Sequence, residues 1–203
     1  MQNLVKAKQK AESLIALIDD VCLRVEIAGS IRRRKSQVKD IEIVALPKTK
    51  PGKDLFGNTI EEISFLEIRL NGLLQHNNDL SFDPELKRNG HKYKRLLWHG
   101  VKVDLFIAGR SREYGALMAI RTGPWDFSKM LVTKQEYGGA MPNDFRQQDN
   151  QIWTPNGPLE TSNELKYFAA LGIPFWLPWE RSEYRLRTFL RKRIAMKHEL
   201  GIK

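Results

Sequence analysis

Cysteine is nearly missing from this chain: Cys22 stands alone among 203 residues. A single thiol excludes an intramolecular disulfide and a cysteine-built zinc cluster, and it fits a reducing, cytoplasmic setting. Flanked by Val21 and Leu23, it reads as a small core residue. No apolar stretch approaches the ~20 residues that a membrane-spanning helix needs. The first residues lack the apolar core of a signal peptide, so neither anchor nor leader is expected. Internal repeats and low-complexity tracts are absent too, which sets aside repeat arrays and disordered tails. Histidine is sparse: His76, His91, His99 and His198 sit singly near loops or strand ends and read as surface or structural groups. Acid is in deficit, with 24 Asp and Glu against 34 Lys and Arg, a formal charge of +10. That balance favours an anionic partner such as nucleic acid. With 41% hydrophobic and 29% charged residues, there is apolar material for one globular domain or two small lobes.

Hydrophobic periodicity sets the expected elements. Residues 4 to 19 read as an amphipathic helix, with Leu4, Ala7, Ala11, Leu14, Ile15 and Ile18 on one stripe. Residues 23 to 28 and 38 to 46 read as strands joined by a Gly-Ser turn, and Pro47 to Gly57 as a loop. A second helix is expected over 60 to 74, then short strands near Leu80-Asp83 and Tyr93-Trp98, then an alternating strand through Asp104. Arg112 to Ile120 reads as a helix broken by Arg121-Thr122-Gly123-Pro124. A lobe rich in turns and aromatics follows, with Trp153, Trp176 and Trp179 expected in its core. A basic helix near 183 to 198 closes the chain, its apolar stripe being Leu186, Phe189, Leu190 and Ile194. The class is α+β: a mixed or antiparallel sheet flanked by helices over 1–112, and a small carboxy-terminal lobe over 113–203.

Chemistry concentrates in residues 29 to 42. Gly29-Ser30 comes directly before Arg32, Arg33, Arg34 and Lys35, and Asp40 and Glu42 sit two apart in an apolar strand. A glycine lets backbone N–H groups approach a polyphosphate, and a following helix turns its positive end toward it. Strand side chains alternate faces, so Asp40 and Glu42 point the same way, roughly 6.5 Å apart. That spacing suits carboxylates that share two divalent ions about 3.5–4 Å apart. A third carboxylate, Asp104, lies in Val103-Asp104-Leu105 and shares its face with Lys102, which is placed to screen it or to meet a phosphate. Hard cations such as Mg²⁺ take oxygen ligands from few protein groups plus substrate phosphates. A phosphate cradle beside paired carboxylates points to nucleotidyl transfer.

These residues resemble the family X DNA polymerases, the DNA polymerase beta-like nucleotidyltransferases, over roughly residues 24 to 183. The likeness rests on Gly29-Ser30 with Arg33 ahead of Asp40-Ile41-Glu42, and on Lys102-Val103-Asp104-Leu105. It continues through Thr122-Gly123 with Phe127-Ser128-Lys129 and a closing segment from Gly157-Pro158-Leu159-Glu160-Thr161 to Pro178-Trp179-Glu180-Arg181. The resemblance implies a nucleotidyltransferase palm and a lobe that folds over the nascent base pair. It implies Asp40, Glu42 and Asp104 as ligands of two Mg²⁺ ions, with Mn²⁺ as a substitute. Gly29, Ser30 and Arg33 would bind the triphosphate; Arg121, Thr122, Gly123, Trp125 and Ser128 would line sugar and base; Lys102 and Lys129 would support them. The implied partners are dNTP and primer-template or gapped DNA, for a monomeric enzyme of repair type.

The sequence departs from that pattern in places. Glu42 replaces the usual Asp, Ile120-Arg121 replaces an aromatic pair, Ser128 replaces an Asn, and Val132 stands where an Arg meets the template. Low fidelity is the expected consequence. The amino-terminal lyase domain of larger relatives is expected to be missing, and no lyase activity is assigned. Arg191, Lys192 and Arg193 of the last helix are then the expected DNA backbone contacts, whose binding would weaken with salt. Two other readings stay open: a transferase acting on RNA ends or a small acceptor without a template, and a catalytically weak nucleic-acid-binding module.

Overall fold

The computed structural model describes residues 1–53, 59–85 and 89–200. The chain divides into two compact units, Met1–Gly109 and Arg110–Lys203. In the first, β1 (Gln2–Asn3) leads into α1 (Leu4–Ala16), which starts where Asn3 Oδ1 accepts the Lys6 N–H at 2.9 Å. Then come β2 (Cys22–Ile27), a one-turn helix α2 (Gly29–Arg32), β3 (Gln37–Val38) and β4 (Ile41–Pro47). A hairpin of β5 (Thr49–Lys53) and β6 (Thr59–Ser64) precedes α3 (Phe65–His76), β7 (Leu80–Phe82), β8 (Tyr93–Trp98) and β9 (Val101–Ile107).

Five of these strands make one mixed sheet in the order β2-β4-β9-β8-β7. Only the central β4–β9 pair is parallel; its neighbours run antiparallel. Alternation decides what each face carries. Ile41, Ile43 and Ala45 of β4 and Val103, Leu105 and Ile107 of β9 join Ala7, Ala11 and Leu14 of α1 and Leu66 and Leu70 of α3 in one buried cluster. Each large side chain fully buried there contributes about 1.5–3 kcal/mol. The residues between them, Glu42 on β4 and Asp104 on β9, therefore lie on the opposite face. Cys22 is buried in the same core, and burial pushes its thiol up to about 11. One cation enters this core: the Lys94 ammonium donates to Glu67 Oε1 at 2.8 Å and to Asn89 Oδ1 at 2.6 Å, which makes its burial tolerable.

Three sequence expectations need correcting here. First, the strand expected over 38 to 46 breaks at residues 39 and 40, so Asp40 lies in the bend before β4 and only Glu42 is in the strand. Residues 49 to 53 of the expected Pro47–Gly57 loop form β5, and 54–57 lie outside the described residues. The helix expected over 60 to 74 begins only at Phe65, and the stretch before it is β6. Ser64 marks the true start, its hydroxyl accepting the Glu67 N–H at 3.3 Å.

The second unit contains α4 (Ser111–Thr122), α5 (Trp125–Val132), β10 (Arg146–Gln148), β11 (Gln151–Thr154), β12 (Gly157–Pro158), α6 (Glu164–Ala170) and α7 (Glu183–Glu199). The three strands form a small antiparallel sheet. Its core is aromatic, with Phe127, Tyr167, Phe168 and Trp176 packed with Leu131, Ile152, Leu186 and Leu190. Ile194, expected in the stripe of α7, is 64% exposed, and Trp179 is 44% exposed. Ile194 lies four positions, about one helical turn, beyond Leu190, so the helix runs past its packing surface before Ile194 is reached.

Gly115 sets how closely α4 meets the segment before α6. Its N–H bonds Thr161 O at 2.9 Å, and a Cβ there would stand 2.1 Å from Asn163 O and 2.4 Å from Thr161 O. Backbone atoms cannot swing aside as a side chain would. Gly115→Ala is expected to destabilise by about 1–3 kcal/mol, lowering the melting temperature by roughly 2–12 °C at ~2–4 °C per kcal/mol. An unchanged calorimetric midpoint would show that the two segments separate freely. Among the described residues no helix is long and apolar enough to cross a membrane.

Candidate active site

The expected Gly-Ser turn is a single turn of helix fitted against β4. After β2, the Ala28 N–H donates to Glu42 O at 2.8 Å, extending the β2–β4 ladder by one bond. Gly29 then takes φ 61°, a conformation costly for residues with a Cβ. Its missing side chain matters again, because a Cβ would sit 1.7 Å from Glu42 Oε2. The Glu42 carboxylate thus lies directly over the Gly29 backbone. Next along, the Ser30 hydroxyl is buried with no hydrogen-bond partner among the described residues. Buried polar groups nearly always have partners, so an oxygen in this position suits a ligand that brings one.

Arg33 completes this corner. Burial pushes its pKa down, while the charges of Glu42 and Asp40 oppose that shift. Both carboxylates are therefore within electrostatic reach of one guanidinium, which stays protonated at any physiological pH. Parallel pairing places Glu42 directly beside Asp104, side chains on the same face and strands about 4.8 Å apart.

Asp104 is 7% exposed and already committed. Its Oδ1 accepts from Tyr93 Oη at 2.6 Å and from Arg95 Nε at 2.6 Å, and its Oδ2 accepts from Arg95 Nη2 at 2.9 Å. The hydrogen bond to Asp104 is the main reason that the Arg95 guanidinium is pushed further up. Burial first, and that same carboxylate second, raise the Tyr93 phenol. Sequence reasoning named neither residue. It named Lys102, whose ammonium instead donates to Glu85 Oε2 at 2.7 Å and lies 3.7 Å from Asp83 Oδ2. The expected partnership of Lys102 with Asp104 is corrected accordingly: the screening cation comes from the next strand.

Among the described residues, no three His, Cys, Asp or Glu side chains converge on one cation position. The charges of Glu42 and Asp40 act on Arg33, and Asp104 is hydrogen-bonded to Arg95. The donor chemistry nonetheless fits Mg²⁺ or Mn²⁺, being all carboxylate oxygen, with two of the groups adjacent in the sheet.

In the second unit, the expected sugar and base residues surround the corner between α4 and α5. Thr122 is fully buried, and Gly123 ends α4 with its N–H on Ala119 O. The Ser128 hydroxyl donates to Ile120 O at 2.6 Å, and a Cβ on Gly123 would stand 2.6 Å from it. Ser128 thereby ties the two helices together, where the sequence suggested a group turned toward a base. Arg121 is exposed and Trp125 is 72% exposed, with Lys129 Nζ 4.9 Å from the Trp125 ring centroid. Trp125 and Lys129 open onto a cavity of about 240 Å³ that Tyr137 and Arg187 also line.

The terminal helix divides its cations. Arg191 and Lys192 are exposed. Arg193 donates to Leu171 O and Gly172 O, both at 3.1 Å, and so caps the end of α6. Burial lowers its pKa. The expected trio of DNA-facing cations is reduced to Arg191 and Lys192.

No family model and no curated protein matches this sequence. Among solved structures, the chain is similar to Leishmania infantum polymerase beta, in a structure described as a ternary P/T complex, with a TM-score of 0.63 at 14% identity. The match covers 89% of this chain and 76% of that one. At such identity the likeness speaks for backbone architecture, and on that ground this chain has an α+β fold similar to that of a polymerase beta.

Proposed function

We propose that this protein is a nucleotidyltransferase that adds a nucleotide from a dNTP to the 3′-hydroxyl of a DNA primer under template direction, as in gap-filling repair. One observation carries the reading: Glu42 and Asp104 stand side by side on parallel strands, with Asp40, Arg33 and the Gly29-Ser30 backbone gathered at the same end. A polymerase beta-like fold supports it.

On this reading Asp40, Glu42 and Asp104 would hold the divalent ions. Bound there, such ions lower the pKa of an attacking hydroxyl and offset charge on the transferring phosphate. The protein's own groups do the positioning. The Ser30 hydroxyl and the Arg33 guanidinium hold the β- and γ-phosphates, which leave as pyrophosphate. When a triphosphate enters, Arg33 exchanges part of its attraction to Glu42 and Asp40 for phosphate oxygens, which frees those carboxylates to act as ligands. Little covalent chemistry is asked of any side chain, because the rate comes from alignment and electrostatic stabilisation. In the second unit, exposed Trp125 and Arg121 serve base and sugar, and Arg191 and Lys192 meet the phosphate backbone.

The test is primer extension on gapped, recessed and blunt DNA with dNTPs and with rNTPs. Template-matched addition of dNTPs supports the proposal. Addition that ignores the template moves the protein to the end-labelling or small-acceptor class, and no incorporation in Mg²⁺ or Mn²⁺ leaves a binding module. Arg33→Ala adds a sharper result. A charge-assisted phosphate contact is worth on the order of 1.5–3 kcal/mol, so dNTP affinity should fall roughly tenfold to a hundredfold. DNA affinity should hold. An unchanged dNTP Kd, measured by calorimetry, would reassign Arg33 to a purely structural partnership with Glu42 and Asp40.

A further inference from the structure

The hydrogen bonds around Asp104 divide its two oxygens. A carboxylate has about four lone-pair positions. Here Oδ1 takes two donors, Tyr93 Oη and Arg95 Nε, while Oδ2 takes one, Arg95 Nη2. Among the described residues, one position is left, on Oδ2. Two donors from Arg95 form a fork, which holds the plane of the carboxylate as a single bond would not. Tyr93 is itself fixed by stacking on Phe106, centroids 5.1 Å apart and planes 24° apart. The whole assembly stands on one sheet face, because antiparallel pairing sets Arg95 opposite Asp104 and parallel pairing sets Glu42 on its other side.

We infer that Arg95 is a built-in counter-cation for Asp104. It neutralises and aims the carboxylate before any divalent ion arrives, and its charge sets how much of that ion the protein needs. This rests on the assignment of Asp104 as a metal ligand. A cation that binds at Oδ2 joins a carboxylate whose charge is already matched, and it approaches a fixed guanidinium of like sign. Binding is therefore weaker than three free carboxylates would give, and the removal of the Arg95 charge should strengthen it. Arg95 is a positioning residue in this account, since it acts through Asp104.

The measurement is Mn²⁺ affinity of the full chain without nucleotide or DNA, read from the loss of free Mn²⁺ signal by electron paramagnetic resonance. Arg95→Met should bind Mn²⁺ about tenfold more tightly than wild type, the direction that Coulomb repulsion requires. Arg95→Lys, which keeps the charge and loses the fork, should stay within about threefold of wild type. Arg95→Gln provides a second neutral variant that can still donate one hydrogen bond, should the Met variant fail to fold. Tighter binding should vanish when Asp104→Asn is added to either neutral variant. Equal or weaker Mn²⁺ binding in both neutral variants overturns the inference while the metal assignment stands. If Asp40→Asn, Glu42→Gln and Asp104→Asn each bind Mn²⁺ as wild type does, the metal assignment itself falls, and the counter-cation role with it.

Discussion

Asp104→Asn should abolish nucleotide incorporation, by about 10³-fold or more, and leave the fold in place. The size follows from charge: a metal ligand and one unit of negative charge are lost where several kcal/mol of transition-state stabilisation are proposed to arise, at 1.36 kcal/mol per tenfold, roughly. Asn is the informative replacement because Asp104 is 7% exposed and bonded to Arg95 and Tyr93. Ala would strand the Arg95 guanidinium and mix a stability defect with a chemical one. Asn keeps the shape and an acceptor oxygen for Tyr93 or Arg95. Asp40→Asn should match its effect, since Asp40 is half-buried beside Arg33 and outside the apolar core. Single-nucleotide incorporation at saturating Mg²⁺, with thermal melting alongside, decides the matter. Near-normal turnover by Asp104→Asn at an unchanged melting temperature would remove Asp104 from the reaction.

Much of the first unit was legible because its signals are local. Alternation in β4 and β9 separates Glu42 and Asp104 from the core face by sequence pattern alone. Glycine beside a basic run marked the α2 corner. The partner of Asp104 was not foreseen, although a signal for it exists in the sequence. His99-Gly100 is a two-residue connection between strands, and both residues take positive φ, 46° and 72°. Such a turn fixes the register of its hairpin. Trp98 must then face Val101, and counting back three residues on each side brings Arg95 to Asp104. Reading Lys102 as the screening cation used spacing along one strand, whereas the nearer neighbour was across the ladder.

The misplaced start of α3 has a similar cause. Ile60 and Ile63 are three apart, a helical spacing, and they were merged with the true helix behind them. Ser64-Phe65-Leu66-Glu67 carries the cap that should have divided the two. Ser128 and Arg193 failed for a different reason. Polar residues on helices are ordinarily solvated, and nothing in the local sequence shows that Ile120 O or Leu171 O lies within reach. The Ser128 contact depends on the angle between α4 and α5, and the Arg193 contact on how α7 packs at the end of α6, neither of which short-range patterns encode.

The largest stability effect is expected from Arg181. It is 3% exposed, donates from Nη1 to Glu164 Oε1 at 2.7 Å and from Nε to Trp176 O at 3.0 Å, and lies over the Phe168 and Phe175 rings at 5.0 and 5.5 Å. Glu164 is itself buried at 7% exposure, at the first position of α6. Burying an ion pair is costly, and what makes this one acceptable is that each charge has the other. Arg181→Met keeps the aliphatic bulk against the two rings but leaves the Glu164 carboxylate buried without its counter-ion. Removing one partner of such a pair typically costs about 3–5 kcal/mol, or roughly 6–20 °C of melting temperature for a chain of this size. Glu164→Leu should be comparably damaging, for the reverse reason. The double variant Arg181→Met/Glu164→Leu has no stranded charge, so it should be more stable than either single change, even though it differs more from the native chain. Differential scanning calorimetry on the three variants orders them. A double variant that melts below both singles would mean that the carbonyl and ring contacts of Arg181, rather than the ion pair, hold α6 to the segment ahead of α7.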